Sequence, residues 1–96
     1  MNRAVSGTVS ISGSGRPLAG MQVVAVRLIG GEAVLLGVGA SGDMGRFRVE
    51  YPALEGPADI TVLIVSPKGQ VLFTEPVHRE IAGAELQINV QVPRGV

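Results

Sequence analysis

Asp59-Ile60-Thr61-Val62-Leu63-Ile64-Val65-Ser66 is the stretch whose reading decides the fold. It places Ile60, Val62 and Ile64 on one side and Leu63 and Val65 on the other. A β-branched run this dense, apolar on both sides, belongs in the centre of a sheet. Downstream it is closed by Pro67-Lys68-Gly69-Gln70, where Pro presets φ and Gly supplies a positive one. Upstream lies the irregular connection from Pro52 to Ala58.

Working outward, the same grammar repeats. Arg46 to Tyr51 alternates charge with apolar side chain, after the turn Ser41-Gly42-Asp43-Met44-Gly45. Val34 to Ala40 is a strand interrupted at Gly37 and Gly39. Met21 to Ile29 carries Met21, Val23 and Ala25 on one face and Val24, Val26 and Leu28 on the other. Ala4 to Ser12 alternates Val5, Gly7, Val9 and Ile11 against Ala4, Ser6, Thr8 and Ser10, a period of two that buries one face. On the C-terminal side, Val71 to Thr74 is a short strand that Pro76 keeps from continuing as an inner one. Glu85 to Val92 alternates Leu86, Ile88, Val90 and Val92 with Glu85, Gln87, Asn89 and Gln91. The only helical segment expected is about one turn between His78 and Ala84.

Seven short strands with frequent Gly and Pro punctuation predict an all-β, antiparallel Greek-key sandwich, transthyretin-like or Ig-like. The 96 residues predict one domain over 1–96. Eight Lys+Arg balance eight Asp+Glu, so no electrostatic case exists for nucleic acid or an anionic membrane. No apolar run approaches the length of a membrane span. There is no cysteine, hence no disulfide and no thiolate chemistry. Met1-Asn2-Arg3-Ala4 leads into a polar strand and not an apolar h-region, so no signal peptide is expected. Synthesis in the cytoplasm is favoured, with export inside an assembly left open.

The opening residues resemble a known family. Gly7-Thr8-Val9, Gly15-Arg16-Pro17-Leu18-Ala19-Gly20, then Val23 and Ala25, are similar to the start of carboxypeptidase-regulatory-like, or transthyretin-like, sandwich domains. The family's T-D-x-x-G-x-F hallmark appears as Ser41-Gly42-Asp43-Met44-Gly45-Arg46-Phe47, displaced by one residue and with Ser for Thr. The resemblance implies an accessory module that braces an enzyme, builds a larger structure or mediates protein contacts. It assigns structural roles to Asp43, Gly45 and Phe47. Asp43 is expected to accept backbone N–H groups of its own turn, Gly45 to take a positive φ, and Phe47 to anchor the next strand in the core.

The same resemblance raises one enzymatic branch, the hydroxyisourate hydrolases. That branch uses several histidines, an arginine and a C-terminal Tyr-Arg-Gly-Ser. Here there is one histidine, His78, and the chain ends Pro93-Arg94-Gly95-Val96. One imidazole cannot supply that constellation, and no nucleophile motif accompanies it. The eight carboxylates are scattered, and no oxygen-rich calcium loop surrounds Asp43 or Asp59. Gly13-Ser14-Gly15-Arg16 and Gly37-Val38-Gly39 lack the following helix of a phosphate cradle. The chain is therefore expected to be no enzyme and to hold no cofactor or metal.

The leading expectation is a structural or protein-interaction module. The alternative is a module binding carbohydrate or peptide in loops at one end of the sandwich. Its weakness is the aromatic count: Phe47, Phe73 and Tyr51 are the whole supply. The interaction reading rests on apolar side chains with no place inside. Val24, Val26, Leu28, Leu63 and Val65 form second apolar faces, and a two-layer sandwich has only one interior. Self-association or a protein partner is expected there, and Val26→Lys or Leu63→Lys should release it. The competing possibility is that the 52–58 and 76–84 connections cover these faces.

Overall fold

The computed structural model describes residues 2–52, 58–76, 78–80 and 85–93. Eight strands follow one another: β1 (Asn2–Ile11), β2 (Gln22–Ile29), β3 (Glu32–Ala40), β4 (Arg46–Pro52), β5 (Ala58–Val65), β6 (Val71–Thr74), β7 (His78–Glu80) and β8 (Leu86–Val92). Seven of them correspond to the strands expected from alternation. The eighth, β7, occupies the start of the expected helical turn. The rest of that turn, 81–84, lies outside the described residues, as does 53–57 of the Pro52–Ala58 connection and the Arg94–Gly95 pair. No helix occurs among the described residues, and so none long and apolar enough to cross a membrane.

The strands form two sheets. One has three strands in the order β4-β1-β8; the other has the order β3-β2-β5-β6, with β7 also pairing with β5. The protein is thus an all-β, sandwich-like fold. β5 sits inside its sheet between β2 and the β6/β7 edge, as its composition requires. β6 pairs with Leu63–Val65 and β7 with Ala58–Ile60 along the same side of β5. Pro76 falls between them, where its missing N–H costs no ladder bond, and Glu75 N–H reaches Val62 O at 2.9 Å.

One expectation needs correcting. The fold is not purely antiparallel, because β1 and β8 run parallel, with Val5 opposite Leu86 and Ile11 opposite Val92. Alternation is the same read in either direction, so it carries no information on strand polarity. A parallel pair also requires a long crossover; here most of the chain lies between its two members.

Between the sheets lies one core. Val5, Val9, Val49, Tyr51 and Ile88 meet Val23, Ala25, Ile60, Val62 and Ile64 there, all buried. Phe47 is part of it too. Two glycines let the sheets close along one side. β3 passes beside β4, and a Cβ at Gly37 would come to 2.7 Å from Glu50 O and 3.0 Å from a Val49 methyl. At Gly39 the corresponding distances are 2.8 Å to Arg48 O and 3.1 Å to Val49. Only bare backbone fits at that separation, so the glycines that interrupt β3 are what lets it lie over β4.

Candidate interaction surface

The two outer faces of the sandwich differ in kind. On the three-stranded sheet the outer row is polar. Thr8 donates to Asn89 Oδ1 at 3.2 Å, and Ser6 donates to Glu85 at 3.2 Å. Arg48 pairs with Glu85 and, at 3.4 Å, with Glu50. Its guanidinium is held above the ordinary arginine range, first by the Glu85 hydrogen bond and then by the attraction of the same carboxylate. Ala4, expected in the outward row, is buried, because it lies opposite Glu50 and one position before the Val5–Leu86 pair, beside this ion cluster.

The five-stranded sheet is different. Val23 and Ala25 point into the core, so Val24, Val26 and Leu28 point out. Register then assembles rows across the outer face. Val38, Val24, Leu63 and Thr74 form one; Leu35, Val26 and Thr61 form the next; Val65 stands opposite Val71 beside them. Val26 and Val65 are only 7% and 8% exposed, each shielded by its flanking neighbours on a central strand. Val24, Leu28 and Leu63 are half-buried. The open part of the face is Leu35 at 63%, Val38 at 56% and Val71 at 55%.

Those three residues are the most exposed apolar side chains of this face, and the sequence reading did not single them out. The reason is local. Leu36 is an extra residue in β3, since Val26 pairs with Leu35 and Ala25 with Gly37. This bulge sends Leu36 toward the core and puts Leu35 and Val38, of opposite parity, on the same outer face. A period-two pattern cannot show that. The positions to test also change. Val26 is too enclosed for Lys to report on an interface alone, whereas Leu35 and Val38 are open.

The turn residues are placed as follows. Gly45 has φ +74° and its carbonyl accepts Val9 N–H at 2.8 Å, which docks the turn on β1. Phe47 is buried in the core. Asp43 does not act as expected: it is exposed, and the turn is closed by Gly45 N–H to Gly42 O at 2.9 Å. The side chain that organises this region is Ser41, which is 5% exposed. Its hydroxyl donates to Leu18 O at 2.7 Å and accepts Met21 N–H at 3.0 Å. Its own N–H and C=O bond Met21 O and Gly20 N–H, both at 2.9 Å. Ser41 therefore pins the 17–21 loop to the end of β3. Ser41→Ala leaves a partly buried carbonyl and amide without partners and should cost about 1–3 kcal/mol. Asp43→Ala, at an exposed side chain, should stay within about 0.5 kcal/mol. Urea denaturation of the two variants checks the contrast; equal losses would return the role to Asp43.

His78 lies in β7, opposite Ile60. Its Nε2 is 3.7 Å from Glu75 Oε1 and is enclosed without a hydrogen-bond partner. It faces a carboxylate, not a hydroxyl nucleophile, and the Thr61 hydroxyl nearby is donated to Glu75 O. Lys68 is exposed in the turn after β5. Among the described residues no three His, Asp or Glu side chains converge to hold a metal.

Comparison with known proteins separates fold from family. The fold has a solved counterpart. The 9R-lipoxygenase from Cyanothece PCC8801 matches 96% of this chain with a TM-score of 0.64 at 15% identity, and the match covers 16% of that chain. No family model and no curated protein matches the sequence. The likeness supports the sandwich architecture and, at this identity, the architecture alone. This chain spans about a sixth of the length of that enzyme.

Proposed function

We propose that the protein is a non-catalytic interaction module whose outer five-stranded face is covered by a second protein domain. The observation that carries this is the apolar face of the row Val38, Val24 and Leu63 with Leu35 beside it, running from an edge strand to the sheet centre with its rim open to solvent. Burying exposed apolar area is worth roughly 25 cal/mol per Å², and contiguous exposed patches of this kind mark protein contacts. The opposite face shows what a solvent-facing sheet looks like in the same molecule: Ser, Thr, Asn, Gln and an ion cluster. The counterpart fold forming a small fraction of a much longer chain supports a modular use. So does the motif resemblance to carboxypeptidase-regulatory-like sandwiches, whose members serve as accessory modules.

The test is a photo-crosslinking residue at Val38, with one at Arg46 on the polar sheet as control, in cells that express the protein. A protein crosslinked from position 38 is identified, purified and titrated against this chain. Leu35→Lys/Val38→Lys is expected to weaken that binding at least tenfold, about 1.4 kcal/mol, with an unchanged melting temperature. Crosslinking from position 38 no stronger than from 46 overturns the proposal.

A further inference from the structure

We infer that the free edge of β8 pairs with β8 of a second copy of this chain, antiparallel and centred on Asn89. Sheet edges are the starting point. β3 carries the bulge at Leu36 and the glycines Gly37 and Gly39, and β4 carries Arg46, Arg48 and Glu50 and ends at Pro52. The β6/β7 edge is short, carries a register shift beside Ile64 and is broken near Pro76, which are the usual defences of an exposed edge. β8 has none of them. Its seven residues, LQINVQV, contain no charge, no Pro and no Gly. Among the described residues it is paired on one side only, with β1.

The chemistry of that edge fits itself. Val92 C=O accepts Ser12 N–H, next to β1, at 2.9 Å. Backbone groups alternate sides along a strand, so those of Leu86, Ile88 and Val90 also face β1, and those of Gln87, Asn89 and Gln91 face outward. A two-fold axis makes like edges meet antiparallel. Centred on Asn89, it sets Gln87 against Gln91 of the second copy and Asn89 against its own equivalent. Each such pair exchanges two backbone hydrogen bonds. The side-chain amides are both donors and acceptors, hence self-complementary. The flanking Glu85 falls opposite Pro93, so no like charges meet, and Pro93, lacking an N–H, ends the ladder. The net charge of zero adds no long-range repulsion.

Sedimentation of the full chain at about 100 μM, where weak specific interfaces are populated, is expected to show a dimer. Gln87→Lys/Gln91→Lys sets like charges opposite each other and should raise the dimer Kd at least tenfold. Both positions are exposed, with Ser6 and Ser10 as their neighbours on β1, so circular dichroism should show the fold intact. Gln87→Lys/Gln91→Glu sets opposite charges across the same pairs and should restore dimerisation. Leu35→Lys/Val38→Lys should leave the dimer unchanged, which separates this edge from the apolar face. A monomeric wild type overturns the inference. So does a dimer indifferent to Gln87→Lys/Gln91→Lys, or one lost in both charge variants alike.

Discussion

Gly7→Ala is expected to destabilise the protein by about 3 kcal/mol, the upper end of what overpacking a core usually costs. For a domain of this size that is a fall in melting temperature of about 12–24 °C. The reason is steric and not torsional. Gly7 lies in the middle strand of the three-stranded sheet, opposite Phe47 on one side and Ile88 on the other. A Cβ there would penetrate the carbonyl group of Ile88, which belongs to the backbone. A flexible side chain could swing away; a carbonyl held in the β1–β8 ladder moves only if the strands part. The loss would fall on the pairing that joins the two ends of the chain. Thermal melting of Gly7→Ala checks it, and a midpoint within two or three degrees of wild type would mean that β8 does not approach β1 this closely.

The second large effect is expected at Gly45, where two penalties coincide. At φ +74° any Cβ costs about 1–2 kcal/mol of backbone strain. In addition, the Cβ would press on Val9 O and come to 3.2 Å from Pro17 Cβ. Gly69 separates the two contributions, since its φ is +88° but nothing stands within 4 Å of its Cβ position. Gly69→Ala should show the strain alone, and Gly45→Ala about 1–2 kcal/mol more. The surplus measures how rigidly the 42–45 turn is docked on β1. Equal losses in the two variants would show that the docking contributes nothing.

Much of the local structure was legible without coordinates. Asp59 to Val65 could only be a central strand, and Gly45 could be placed at a positive φ because a turn of its kind requires one. Phe47 was legible as core from the alternation of Arg46, Arg48 and Glu50 around it. The proposed interaction surface was legible in part. Val24, Leu28 and Leu63 do stand on an outer face, but Val26 and Val65 are closed off by neighbours from other strands.

The sequence by itself determined where strands run and where they turn, because period-two alternation and the φ limits of Gly and Pro act between adjacent residues. Only the tertiary structure decided the rest. The parallel entry of β8, the pinning role of Ser41 over Asp43 and the closeness of Gly7 to Ile88 depend on partners far away in the chain, and the bulge at Leu36 depends on how β3 registers against β2. A strand apolar on both sides does not say which side is inside. That choice is made when one face meets the other sheet, and what it leaves outside is the surface through which this protein is proposed to act.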